Sequence, residues 1–249
     1  MMLNKRYKLI EQIGNGSFGI LYKGKNNITG KYVAIKMENI KDETRMLKNE
    51  TKIYQYLKGV SGVPSILYFG IHENKYYMVL PLLGKSLREI RETNGPFSLP
   101  DTLTICNSII NILELIHDKG LIHRDIKPDN FLIGNENSIN IIDFGFCKKY
   151  LNKDGKHIGL NENRGLIGSL NYMSINIHNG IEASRRDDLE SIGYMMLYFL
   201  GIPYEATSSS KLNVIENGNI PDIIQQYFIS CFKLKYEERP LYSKYIIVL

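Results

Sequence analysis

The sequence predicts an α+β fold of two lobes: a small, mainly antiparallel β lobe with one key helix, then a larger, mainly helical lobe. Three observations lead there. Apolar and polar residues alternate over 7–37, the spacing turns helical from Asp42 to Lys58, and helical patterns dominate after Gly84. Within 7–37 the turn signals Gly14–Gly19 and Asn27–Gly30 separate several short strands. From Asp42 to Lys58, Leu47, Ile53, Tyr54 and Leu57 fall on one helix face, and Glu50 falls on that same face, where a carboxylate needs a partner. Tyr76–Leu83 reads as a further strand, and Leu99–Lys119 and Asp187–Leu200 read as helices. The lobe boundary is therefore placed at 81–84, with the first lobe over 1–80 and the second over 85–249. Thr207–Ile220, with its SSS and NGN runs, reads as the most loop-like stretch, and no internal repeat is found.

At 249 residues the chain can bury a sizeable core as one two-lobed unit. Hydrophobic residues at 43% and charged residues at 23% are ordinary globular values, and no run of about 18 apolar residues suggests a membrane span. The start, MMLNKRYKLIEQIG, lacks the long apolar core and cleavage site of a secretory leader. Cys106, Cys147 and Cys231 are odd in number and widely spaced, which predicts free thiols in a reducing compartment. An intracellular location, cytoplasmic or nuclear, and a monomer are expected, with no membrane partner. The net charge of +5 favours anionic partners without choosing among them.

Gly14-Asn15-Gly16-Ser17-Phe18-Gly19 matches GxGxxG, a pattern shared by dinucleotide-binding folds and kinases. A dinucleotide fingerprint leads into a helix, whereas this loop leads into ILYKGK, a turn and YVAIK, so it caps a β-hairpin. Its glycines let backbone amides approach phosphates closely. Lys36 ends the apolar run Val33-Ala34-Ile35, at a distance from the loop that suits a lysine contacting the α- and β-phosphates of ATP. Glu50, otherwise unexplained on its helix face, is its expected partner.

His123-Arg124-Asp125-Ile126-Lys127-Pro128-Asp129-Asn130 is the most specific run, matching the kinase catalytic loop at every fixed position. Asp125 can accept the proton of a substrate hydroxyl or orient it for in-line attack, and Lys127 can neutralise charge on the transferring phosphoryl group. His123 is expected to pack in the core, since the other histidines show no ligand spacing around it. Phe131-Leu132-Ile133 and Ile139–Ile142 read as short strands around a turn at Gly134–Ser138, a hairpin that returns Asp143-Phe144-Gly145 towards Asn130. Asn130 and Asp143 then supply the hard oxygen ligands that Mg²⁺ prefers.

Together these residues resemble the protein kinase superfamily over nearly the whole chain. Lys148-Lys149-Tyr150, Ser174-Ile175-Asn176, His178–Glu182 with Ser184–Ser191, and Leu82-Leu83-Gly84 with Ser86-Leu87 are similar to the casein kinase I family. The resemblance implies a serine/threonine kinase, to which Lys127 also points, with Mg-ATP held in the cleft of a two-lobed fold. It implies that Leu21, Ala34 and Leu132 sandwich adenine, that Leu80 is the gatekeeper, and that the backbone of Pro81, Leu82 and Leu83 hydrogen-bonds the adenine edge. It implies that Asp188 tethers the catalytic loop; a simple helix N-cap is the alternative. Arg124, Lys148 and Arg164 match a basic cluster in that family. Protein substrates with acidic surroundings are the expected partners.

Departures accompany the likeness. Where the family has arginine in Thr-Ala-Arg-Tyr, this chain has Asn171 in Ser169-Leu170-Asn171-Tyr172, and Lys211 is the candidate for a second anion-site lysine in a shortened region. The family's regulatory tail is expected to be missing. Competing readings are a pseudokinase, disfavoured because Lys36, Glu50, Asp125, Asn130 and Asp143 are all present, and a basic nucleic-acid module, disfavoured by the lack of a stacking motif or dense basic run.

Overall fold

The alternation of Tyr32–Asn39 decides which way the first sheet faces. Val33, Ile35 and Met37 are buried with Leu3, Tyr7, Tyr77 and Val79 in one apolar cluster. Strand periodicity puts Ala34 and Lys36 on the opposite face. The computed structural model describes residues 1–16, 19–40 and 46–248. Two compact units make up the chain, Met1–Gly84 with Ile133–Gly145, and Lys85–Leu132 with Phe146–Leu249.

In the first unit, β1 (Met2–Leu3), β2 (Tyr7–Gly16), β3 (Gly19–Asn26), β4 (Tyr32–Asn39), β5 (Tyr68–His72) and β6 (Lys75–Pro81) form a sheet in the order β1-β2-β3-β4-β6-β5. Every pairing is antiparallel. The helix α1 (Met46–Tyr56) follows β4 and buries Leu47, Glu50, Thr51 and Tyr54, the expected face, with Ile53 half-buried. Its first turn is held by buried Glu38 of β4, whose carboxylate accepts from the amides of Met46 (2.9 Å) and Leu47 (3.0 Å). That satisfies two of the donors that a helix start leaves open and sets negative charge at the positive end of the dipole. The start of the predicted helix, before Met46, lies outside the described residues.

The second unit is mainly helical: α2 (Leu87–Asn94), α3 (Leu99–Asp118), β7 (Leu121–Ile122), β8 (Phe131–Ile133), β9 (Ile139–Ile141, part of the first unit), β10 (Lys148–Lys149), α4 (Ile175–His178), α5 (Arg185–Leu200), α6 (Ser208–Asn217) and α7 (Asp222–Phe232). β7 pairs with β10 and β8 with β9. By length and composition α3 could cross a membrane. Here it packs against α5 and buries Leu103, Cys106, Ile109, Ile110, Leu113 and Ile116. Ser98 caps its start by accepting from the Asp101 amide.

The expectation of a loop over Thr207–Ile220 is wrong. Residues 208–217 form α6, with the Thr207 hydroxyl accepting from the Ser210 amide at its start. The serines that read as loop sit in the first turn, and Lys211 and Ile215, one turn apart, are its buried face. All three cysteines are free thiols.

Candidate active site

The glycine run falls at the tip of the β2–β3 hairpin, where Gly14 pairs with Leu21, Asn15 with Ile20 and Gly16 with Gly19. Ser17 and Phe18 lie outside the described residues. Gly19 cannot be replaced lightly: its φ is +121°, and a Cβ there would collide with the Met37 carbonyl. Register then assigns the sheet face. Leu21 pairs with Lys36, Ala34 with Leu80 and Lys36 with Met78, so Leu21, Ala34, Lys36 and Leu80 share the face turned from the apolar cluster. Pro81 closes β6, and Leu82 and Leu83 follow, half-buried.

On that face the Lys36 ammonium meets the carboxylates of Glu50 (2.8 Å) and Asp143 (3.1 Å). Burial works against the Lys36 charge, but the two carboxylates outweigh it and raise its pKa. Burial pushes the Glu50 carboxyl up, and Lys36 opposes that rise. α1 also fixes the backbone around Asp143: the Asp143 amide donates to the Tyr54 hydroxyl (3.2 Å), and Phe144 packs edge-on to the Tyr54 ring at 4.8 Å. Asp143 itself is left-handed at φ 64°, a conformation that non-glycine residues adopt at a cost unless held this way. Tyr54 sits one turn after Glu50 on the same face, so its spacing could have revealed its part.

In the second unit the catalytic-loop residues converge. Asp125 is 4% exposed and its carboxylate takes the Lys127 ammonium (2.7 Å), the Ser169 hydroxyl (2.8 Å) and the Asn130 amide (3.2 Å). Asn130 also donates to the Asp125 carbonyl (2.8 Å), and Lys127 donates to Ser169 (3.0 Å). With its Nδ2 committed to Asp125, Asn130 keeps its carbonyl oxygen as a hard acceptor. Leu132 bridges to Ser86 and is half-buried.

Asp188 holds this loop from beneath. Its carboxylate accepts from the amides of His123 (2.7 Å) and Arg124 (2.9 Å) and from His117 Nε2 (3.0 Å). Burial alone would raise its pKa, but these donors, His117 above all, hold it below the usual carboxylate range. The tether is thus the one the resemblance implies; Asp187, not Asp188, accepts from the amide of the cap residue Ser184 (2.7 Å). His123 is fully buried, as expected. Arg124, left-handed at φ 70°, is held by the same bonds.

The basic cluster has an internal counter-charge. Glu182, 3% exposed on its side chain, meets Arg164 (2.6 Å), Lys148 (2.9 Å) and Arg124 (3.8 Å) beside a cavity of about 600 Å³. Burial would raise the Glu182 pKa, but Lys148 and Arg164 bring it below its ordinary value. Sequence reasoning missed both Glu182 and Ser169. It also misplaced Lys211, which is no anion-site candidate: it is fully buried, and its ammonium donates to the carbonyls of Leu170 and Met173.

The description of a protein kinase domain matches residues 7–247. The chain belongs to the protein kinase family. In this kinase the antiparallel sheet unit and the helical unit are the two lobes of the family's fold, and the activity is phosphoryl transfer to proteins. Among the described residues of the kinase there is no group of three or more His, Cys, Asp or Glu able to hold a metal. Asn130 in the helical unit and Asp143 in the sheet unit each carry a side-chain oxygen of the hard kind that Mg²⁺ takes.

Proposed function

We propose that this kinase transfers the γ-phosphate of Mg-ATP to serine and threonine hydroxyls of proteins, with a preference for acidic surroundings. The arrangement of Asp125, Lys127 and Ser169 carries the reading. Asp125 accepts the proton of the incoming hydroxyl while that oxygen bonds to the γ-phosphorus, the bond to the bridging oxygen breaks, and ADP leaves. Lys127, already paired with Asp125, offsets charge on the transferring group. Lys36, kept cationic by Glu50 and Asp143, serves the α- and β-phosphates, and Leu21, Ala34 and Leu80 with Leu132 serve adenine. Asn130 and Asp143 would hold Mg²⁺, which would supply positive charge to the phosphates.

Kinship with casein kinase I draws support from two runs that act as one. The Ser174 hydroxyl (2.7 Å) and Asn176 amide (3.2 Å) both donate to Asp187, tying Ser174-Ile175-Asn176 to the Ser184–Ser191 run. The acidic preference rests on Lys148, Lys149 and Arg164. Arg185, 7% exposed, stacks over Tyr150 at 4.4 Å, so neither it nor Lys211 adds to the surface field. Asn171 offers neutral donors where arginine would offer a charged fork, so a phosphate three residues before the target gains little over aspartate.

The experiment compares Ser, Thr and Tyr acceptor peptides with phosphoserine, aspartate or alanine at that upstream position, for wild type, Asp125→Asn and Asn171→Arg. Transfer to Ser and Thr only, a loss of at least about 100-fold in Asp125→Asn, and a phosphopeptide gain of about tenfold in Asn171→Arg are expected. Tyrosine transfer at a comparable rate, or an active Asp125→Asn, overturns the reading.

A further inference from the structure

Lys211 lies on α6 with its whole side chain out of solvent, where an ammonium is costly unless each of its donors is used. Its ammonium donates to the Met173 carbonyl (2.6 Å) and the Leu170 carbonyl (2.9 Å) and lies 3.1 Å from His178 Nε2, which is itself 3.1 Å from the Leu170 carbonyl. The face of Tyr194 lies 4.3 Å away. From α5, Glu190 accepts from Tyr194 (2.7 Å) and from the Ile175 amide (2.8 Å), and it opposes the fall that burial imposes on the Lys211 pKa. The Tyr204 hydroxyl adds a bond to the Asn171 carbonyl (2.9 Å).

Those carbonyls belong to one short turn, Ser169–Met173. The amides of Tyr172 (2.9 Å) and Met173 (3.0 Å) both donate to the Ser169 carbonyl, so the turn moves as a piece. At its other end the Ser169 hydroxyl donates to Asp125 and accepts from Lys127. The preceding Gly168, at φ +100°, brings the backbone against the Arg124 carbonyl.

We propose that Lys211 is a positioning residue for phosphoryl transfer: its buried ammonium clamps the turn Ser169–Met173 so that Ser169 stays on Asp125 and Lys127. The proposal rests on the reading of Asp125 as the group that handles the acceptor hydroxyl. An ammonium suits the role because its donors reach acceptors in different directions, whereas a planar guanidinium is larger and fixed in its fork. Lys211 touches no reacting atom; its effect passes through the turn.

The test uses the full chain. In Lys211→Met, kcat/KM for a protein substrate is expected to fall by about tenfold or more while the Kd for Mg-ADP stays within about twofold. Amide exchange across Ser169–Met173 should speed up, with the sheet unit unchanged. Should Lys211→Met not fold, Tyr204→Phe removes only the hydroxyl bonded to Asn171 and is expected to give the same split at about two- to fivefold. The clamp is overturned if exchange of the turn is unchanged in the folded variant, or if nucleotide affinity falls as far as transfer does. Asp125→Asn is measured alongside. An active Asp125→Asn sinks the reading of Asp125, while the exchange result still decides whether Lys211 holds the turn.

Discussion

Two lysines in this kinase, Lys36 half-buried and Lys211 fully buried, make opposite use of one charge. Lys36 faces two carboxylates, and its pKa rises; Lys211 faces two carbonyls, an imidazole nitrogen and a tyrosine ring, and its pKa falls to about 8. Burial penalises both ammonium groups. Only full negative charge at 2.8 and 3.1 Å offsets that penalty, and neutral dipoles do not. Lys36 is therefore a permanent cation, fit to meet phosphates, whereas Lys211 is first a donor of directed hydrogen bonds. Burial by itself does not reveal which role a lysine has; the charge of its acceptors does.

Removing the permanent cation gives the largest expected effect. Lys36→Met should lower kcat/KM by about 100-fold or more, because it removes the charge read as positioning the phosphates. Its circular dichroism should match wild type. A variant retaining a tenth of the activity would break the contrast, since Lys36 would then be as replaceable as any paired surface lysine.

The pH dependence of stability separates the two next. For Lys211 the folded pKa of about 8 lies below the ordinary value of 10.5. Below pH 8 both states are protonated and the cost is constant. Between pH 8 and 10.5 the unfolded chain binds a proton that the folded chain has released, so raising the pH favours the folded state, by roughly 3 kcal/mol in all. Lys36 has the opposite sign: its contribution is complete below 10.5 and is lost only as the pH climbs beyond that. In urea unfolding across pH 7.5–10, wild type should therefore gain stability relative to Lys211→Met as the pH rises, so a methionine that merely relieves the cost leads by most at pH 7.5 and loses that lead towards pH 10. A gap that is flat from pH 8 to 10 would show that Lys211 does not titrate there.

Glu182 is the inverse arrangement, one buried carboxylate among three cations. Phe146–Gly168 contains no serine or threonine, and Glu182 already supplies the negative charge that Arg124, Lys148 and Arg164 gather around. Phosphatase-treated protein should thus keep its activity, and Glu182→Gln should lose about tenfold in kcat. The measurement is a steady-state assay on protein whose intact mass shows no phosphate. Full dependence on a phosphorylated residue elsewhere would give the basic cluster a different partner.

Much of the Lys36 side of this contrast was legible in the sequence. A lysine closing an apolar strand and a glutamate on the apolar face of the next helix each lack an explanation alone, and local periodicity places both. Asp188 was legible only through resemblance. Lys211 was not legible because its partners lie 41 and 38 positions away in the chain, where no spacing rule connects them. The same holds for Ser169 and Asp125, 44 positions apart. The misreading of Thr207–Ile220 has a related cause. Serine-rich composition suggests a turn, but Thr207 caps a helix whose buried side is the single stripe of Lys211 and Ile215, one of them charged.

The bond between His117 Nδ1 and the Tyr242 hydroxyl, at 2.6 Å, sets how deep the footing of the catalytic loop reaches. His117 Nε2 donates to the Asp188 carboxylate, and its Nδ1 is bonded to the Tyr242 hydroxyl. The support of the catalytic loop thus runs from Asp188 through an imidazole to Tyr242, three bonds deep into the helical unit. Tyr242→Phe should therefore loosen the loop without touching it, seen as faster amide exchange at His123 and Arg124 with the sheet unit unchanged.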